Sequence, residues 1–241
     1  MDISLNLPQG QFVFKNSKTD SSDFVIASAG GRKPDLNWFK IVADGRKIYC
    51  ADKGLEICMD AGFVPELLCG DDDSAGKEYL KKAEKENIKT ALFNPDKDDT
   101  DLQLLLTMLP QNMPLLATGI WGGRFDHLYS NVFSLLAYKE KNAVPVIMAD
   151  ENEVMVLLAA GESLDFLPQQ DFKALSLLPL RNSIVSIEGV RWPLDKAGIF
   201  TYNPYAVSNE ITAGTVKAEC HSGCIGFYLK TETAGCRKRY L

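Results

Sequence analysis

Between residues 23 and 150 the apolar positions alternate between two spacings. Short apolar runs fall at DFVIASAGG (23–31), KIYCAD (47–52), ELLCG (66–70), IKTALF (88–93), PLLATG (114–119) and VPVIMAD (144–150). Runs this short, bounded by turn residues, predict buried strands. The segments between them have helical spacing. LNWFKIVADG (36–45) gathers Leu36, Phe39, Ile41 and Val42 on one side, and GLEICMDAG (54–62) is a short helix stopped by glycine. SAGKEYLKKAEKEN (74–87) is a charged helix with Ser74 as its expected N-cap. TDLQLLLTML (100–109) carries Thr100 and Gln103 at capping-box spacing, and DHLYSNVFSLLAYKEK (126–141) is the last helix.

Strands that alternate with helices predict an α/β domain, a mostly parallel sheet flanked by helices. Right-handed crossovers put every strand's C-terminal end on one rim, where open α/β sheets bind ligands. Beyond residue 150 the texture changes to short β-rich runs: EVMVLLAAG, ESLDFLP, FKALSLLPL, SIVSIEGV, GTVKAEC and CIGFYLK. That pattern predicts an all-β domain, an antiparallel sandwich or barrel. The expected organisation is a polar N-terminal extension over 1–22 with one edge strand at QFVFK, an α/β domain over 23–150 and a β domain over 151–241. The boundary falls near Asp150 to Asn152.

Composition narrows the function classes. The 241 residues are 46% hydrophobic, enough for a sizeable core, and the formal net charge is -6. A net negative chain has no general attraction for nucleic acid or anionic membrane. The N-terminus lacks a signal-peptide pattern, and the longest apolar run, VMVLLAA at 154–160, is too short to span a bilayer. Six scattered cysteines (Cys50, Cys58, Cys69, Cys220, Cys224, Cys236) are expected to be reduced thiols of a cytoplasmic protein. Cys220 and Cys224 flank His221 but lack the second ligand pair that a zinc site needs.

The candidate chemistry lies at the predicted strand ends. Asp52 ends one strand, and Asp71, Asp72 and Asp73 follow the next. Asp98, Thr100 and Asp101 follow IKTALFNPDK, and TGIWGGRFDH (118–127) follows PLLATG. Oxygen ligands with no convergent His or Cys suit Mg²⁺. Carboxylates alone repel a phosphate chain, whereas carboxylates holding Mg²⁺ attract one. Gly122 and Gly123 allow a backbone to approach phosphate, and Arg124 can pair with it bidentately. These residues point to an α/β enzyme that handles a Mg-nucleotide.

The same segments resemble the motifs of the thiamine pyrophosphokinase family. ADKG at 51–54, PELLCGDDDS at 65–74, DDTD at 98–101, GGRFDH at 122–127 and SNE at 208–210 stand in the family's order. ALSLLPL (174–180) and GVRWPL (189–194) are also similar to its C-terminal domain. The resemblance implies transfer of the pyrophosphoryl group of ATP to the hydroxyl of thiamine, giving thiamine diphosphate and AMP. It implies a β-sandwich as the C-terminal domain, and a homodimer with the active site between subunits. Carried onto this chain, Asp71, Asp73 and Asp101 become the Mg²⁺ ligands. Asp71, Asp73, Asp98, Asp101, Arg124 and Asp126 form the catalytic set, with Asp98 or Asp126 as proton acceptor. Asp52, Thr100, Gly122, Gly123, Arg124 and His127 bind ATP, and Trp192, Ser208 and Asn209 bind thiamine.

Two departures stand out. ADKGLE replaces the family's ADGGAN, so Lys53 and Leu55 stand for small residues and Glu56 for asparagine. Asp72 stands for an apolar residue and is expected to be solvated or to cap the following helix. The same scaffold could serve another acceptor, as a phosphotransferase or hydrolase, or act as a non-catalytic nucleotide or thiamine sensor.

Overall fold

A computed structural model describes residues 1–19, 21–70, 75–93 and 98–232. The chain divides into two compact units, one of residues 18–150 and one of residues 1–17 together with 151 onward. Asp71, Asp72, Asp73, Ser74 and Cys236 lie outside the described residues.

The first unit is α/β. Its strands are β3 (Val25–Ser28), β4 (Ile48–Ala51), β5 (Leu67–Gly70), β6 (Lys89–Leu92), β7 (Leu115–Thr118) and β8 (Val146–Ala149). They pair in parallel in the order β8-β7-β3-β4-β5-β6. Every residue of β3, β4, β7 and β8 is buried, which explains their unbroken apolar runs: both faces of the sheet are covered. Edge strand β6 is largely exposed and carries Lys89 and Thr90. The helices are α1 (Leu36–Ala43), α2 (Gly54–Asp60), α3 (Lys77–Lys85), α4 (Asp101–Met108) and α5 (Phe125–Asn142).

Local chemistry sets the helix starts. The Asp35 carboxylate accepts from Asn37 N and Trp38 N, both at 2.9 Å, so α1 begins there. The Thr100–Gln103 capping box of α4 is present in both directions. Helix α3 departs from expectation, because it starts at Lys77 with Gly76 in the cap position. The acceptor comes from elsewhere: Glu56 Oε1 of α2 takes the Gly76 N–H at 3.0 Å.

The second unit is all β. The first residues differ from the expected extension: Ile3–Leu7 (β1) and Gly10–Lys15 (β2) form a hairpin, and β2 pairs along its length with β10 (Glu162–Pro168). Alternate burial over ISLNL and GQFVFK is the pattern of half-buried strands. The sheet continues through β14 (Val216–Ser222), β12 (Ser183–Glu188) and β13 (Leu194–Ile199), all antiparallel. Strands β9 (Glu153–Ala159), β15 (Cys224–Thr231) and β11 (Phe172–Pro179) form a second antiparallel set. The two sets meet through Phe166 of β10, whose ring centroid lies 5.5 Å from that of Phe172 on β11 and 6.0 Å from that of Phe227 on β15, while Phe12 of the neighbouring β2 stacks on it at 4.7 Å. No helix among the described residues is long and apolar enough to cross a membrane. The five described cysteines are buried.

Candidate active site

The strand order fixes where a ligand can enter the α/β unit. The chain lays down β3, β4, β5 and β6 in one direction, then returns to place β7 on the other side of β3. The loops that leave β3 and β7 therefore depart toward opposite sides of the sheet, and a crevice opens between them. A cleft of about 560 Å³ occupies this switch point. It is lined by Ala29 to Gly31 after β3, Ala51 to Lys53 after β4, Asp99 to Leu102 at the start of α4, and Ile120, Gly122, Gly123, Arg124, His127 and Asn131.

Backbone hydrogen bonds extend the β3–β7 pairing into these loops. Ala29 N donates to Thr118 O, Gly31 N to Gly119 O and Arg32 N to Trp121 O. So close an approach excludes side chains: a Cβ at Gly119 would overlap the Ala29 carbonyl oxygen, and Gly119 has φ +66°. Asn131 of α5 donates to Ile120 O at 3.2 Å and braces the same loop. Gly122 and Gly123 have φ +74° and +68°, a turn that L side chains rarely adopt, and it leads into Arg124 at the N-cap of α5.

Arg124 is exposed and forks onto Asp126, with Nε donating to Oδ1 at 3.1 Å and the second nitrogen to Oδ2. The Arg124 hydrogen bond holds the Asp126 carboxyl below the usual carboxylate range, and the His127 N–H at 3.0 Å adds to the effect. Asp126 in turn raises Arg124.

Acidic residues also line this cleft. Asp52 sits in a left-handed turn (φ +52°), and its N–H donates to Cys69 O at 3.1 Å. Cys69 Sγ lies 3.5 Å from Asp101 O, and Phe93 N donates to Gly70 O at 3.0 Å. The end of β5, the start of α4 and the turn after β4 are thus tied together. Gly70, the last residue before Asp71, is within this knot. Asp52, Thr100 and Asp101 line the cleft, while Asp98 is exposed beside it. Among the described residues no three His, Cys, Asp or Glu side chains cluster tightly enough to hold a metal ion. Two of the three expected ligands, Asp71 and Asp73, are not among them. The acidic donors that do line this cleft, Asp52, Asp99 and Asp101, are carboxylates, a chemistry that fits Mg²⁺.

One pair escaped sequence reasoning. Arg32 Nε and one terminal nitrogen bond Asp150 Oδ2 at 2.8 and 2.6 Å, and Asp150 is 0% exposed. Arg32 also props the glycine turn, since a Cβ on Gly122 would stand 3.0 Å from Arg32 Cβ. GGR occurs twice in the sequence, at 30–32 and at 122–124, but the repeat does not point to Asp150.

Trp192, Ser208 and Asn209 lie in the β unit and are neighbours there. Asn209 Oδ1 accepts from Trp192 N at 3.1 Å, and Ser208 N donates to Ser176 Oγ at 3.0 Å. The Trp192 side chain is 52% exposed, which makes it a surface group and not a core one.

Family models match both units. The model of the thiamin pyrophosphokinase catalytic domain covers residues 40–148, and that of its vitamin B1 binding domain covers residues 163–225. The chain is 28% identical over 191 residues to thiamine pyrophosphokinase of Bacillus subtilis (strain 168), spanning 76% of this chain and 87% of the relative. It is 27% identical over 183 residues to thiamin pyrophosphokinase 1 of Caenorhabditis elegans, spanning 70% of this chain and 73% of the relative. The crystal structure of thiamine pyrophosphokinase from Bacillus subtilis superposes with a TM-score of 0.75 at 24% identity, covering 88% of this chain and 100% of that one. Thiamin pyrophosphokinase from Candida albicans gives 0.73 at 15% identity, covering 96% and 99%. At these identities the structural matches speak for the fold alone.

Proposed function

The chain belongs to the thiamin pyrophosphokinase family, and on that premise we propose that it transfers the pyrophosphoryl group of ATP to the hydroxyl of thiamine, releasing thiamine diphosphate and AMP. The observation that carries this reading is the cleft at the β3–β7 switch point, whose lining includes both the glycine turn with Arg124 and the carboxylates Asp52, Asp99 and Asp101. The reading extends to the finer architecture: a catalytic α/β domain, a thiamine-binding β-sandwich, and a homodimer with its active site at the subunit interface. A cytoplasmic location belongs to the same reading.

The thiamine hydroxyl oxygen attacks the β-phosphorus of ATP in line. The bond from that phosphorus to the α,β-bridging oxygen breaks, and AMP leaves with the oxygen. Asp52, Thr100, Gly122, Gly123, Arg124 and His127 receive ATP, with the glycine turn presenting backbone N–H groups and Arg124 its fork to phosphate oxygens. Asp71, Asp73 and Asp101 would hold Mg²⁺, which when bound supplies positive charge against the phosphate chain. Asp98 or Asp126 accepts the hydroxyl proton. The Arg124–Asp126 pair favours Asp126. When Arg124 turns to phosphate, Asp126 loses the contact that holds its pKa low and becomes a stronger base. Trp192 offers its indole face to the cationic vitamin, and Ser208 and Asn209 belong to the segment beside it.

Asp71→Asn and Asp73→Asn should each lower turnover by at least about 100-fold while leaving the circular dichroism spectrum unchanged. Near-normal AMP production by both would remove the metal assignment. Running thiamine, other primary alcohols and water as competing acceptors separates the thiamine enzyme from a general phosphotransferase or hydrolase. Tight calorimetric binding with no AMP release would mark a sensor.

A further inference from the structure

Segments 190–192 and 208–211 of the β unit are bound to each other more tightly than a surface loop requires. Val190 and Ile211 form an antiparallel bridge, and Arg191 N donates to Glu210 O at 2.9 Å. The Arg191 guanidinium meets both oxygens of Glu210 at 3.1 and 3.0 Å, and its carbon lies 4.8 Å from the Trp192 ring centroid. Asn209 completes the clasp. Its Oδ1 accepts from Trp192 N at 3.1 Å and from Glu210 N at 2.9 Å, while its Nδ2 donates to Trp192 O at 2.8 Å. Only this orientation of the amide sets the oxygen against two donors and the nitrogen against an acceptor. The Asn209 backbone is itself pinned to β11, donating to Leu175 O at 2.7 Å and accepting from Leu175 N at 2.9 Å.

Both lone-pair directions of the Asn209 carbonyl are therefore filled within the protein. The side chain grips the N–H and C=O of Trp192 in the way a neighbouring strand would. We infer that Asn209 is a positioning residue that acts through Trp192: it fixes the main chain from which the half-exposed indole is presented to thiamine, and its oxygen does not bind the vitamin. Glu210 assists by matching the charge of Arg191, so that a cationic ligand approaching the indole meets a paired guanidinium. The inference rests on the reading of Trp192 as the thiamine platform.

A double-mutant cycle tests it. Asn209→Ala should raise the KM for thiamine about tenfold and the KM for ATP less than about twofold, with most of the loss in KM and little in kcat. Trp192→Ala should do at least as much, and the double variant should match Trp192→Ala within about twofold. Asn209→Asp keeps the oxygen's two bonds and loses the donation to Trp192 O, so it should fall between wild type and Asn209→Ala. A second readout needs no turnover. Trp38 and Trp121 are buried, so acrylamide quenching of the full protein minus that of Trp192→Phe reports Trp192. Asn209→Ala should change that difference without any ligand present. Effects that multiply in the double variant, or quenching unaltered by Asn209→Ala, would overturn the inference. If the wild-type protein makes no thiamine diphosphate, the functional reading fails, and the quenching comparison still decides whether Asn209 holds Trp192.

Discussion

Arg32 and Arg124 both follow a Gly-Gly pair, and their surroundings give them different work. Arg32 donates twice to a carboxylate with no access to water, so Arg32→Ala removes two charge-assisted hydrogen bonds from a buried group and should cost about 3 kcal/mol of stability, read from urea unfolding. Arg124 is exposed and pairs only at the surface, so Arg124→Ala should leave the urea midpoint where it is and lower kcat/KM for ATP by about 100-fold. The opposite pattern, a stability loss at Arg124 or an activity loss without a stability loss at Arg32, would reverse these assignments. The surroundings of Arg124 are local, because Asp126 and His127 follow it at the start of α5. Those of Arg32 are not, because its partner is 118 residues away.

Helix α2 shows how elements are joined around the site. Its last residue, Asp60, is paired with Lys33 and accepts from Tyr79 OH of α3 at 2.8 Å. The hydrogen bond to Asp60 raises the Tyr79 pKa to about 12 from its ordinary 10.0. A raised value means that the fold favours the protonated phenol. That stabilisation is complete below pH 10.0 and is withdrawn as pH climbs toward 12. Asp60, held low first by Lys33 and then by Tyr79, works in the other direction: its contribution is present above the ordinary carboxylate range and fades as pH falls through its own lowered pKa. Tyr79→Phe should therefore flatten the decline in urea midpoint between pH 10.0 and 12. An unchanged decline would show that Tyr79 does not carry it. At this scale the sequence is informative where the determinant is local. Thr100 and Gln103 sit three residues apart and cap α4 as their spacing requires. The start of α3 is fixed by Glu56, 20 residues upstream, and no local pattern marks it. Glu56 is also one of the departures within ADKGLE, and its contact gives that substitution a purpose.

For the whole molecule, alternating periodicity is enough to read the parallel sheet, because each buried strand is a short run of mostly apolar or small residues set between helical segments. The reading fails at the N-terminus. Residues 1–22 read as a polar extension with one edge strand, yet Ile3, Leu5, Leu7, Phe12 and Phe14 are buried, and the hairpin they form pairs with a strand some 150 residues later. The alternation in ISLNL and GQFVFK marks the strands, but nothing local marks their distant partner. Phe12→Ala should then cost about 3–5 kcal/mol, since Phe12 is fully buried against Phe166. An unchanged melting temperature would make residues 1–15 the dispensable extension that their polarity suggests. Of the carboxylates, glycines and arginine that the sequence places at strand ends, Asp52, Asp101, Gly122, Gly123 and Arg124 line one cleft, and the sheet's switch point explains why those ends share it. The claim that unites both units is transfer of two phosphoryl groups together. ATP labelled with ³²P at the β-phosphate measures it directly. With Mg²⁺ and thiamine present, all of the label should move into thiamine diphosphate while AMP forms unlabelled in equal amount. Label remaining in ADP or appearing as inorganic phosphate would contradict the account.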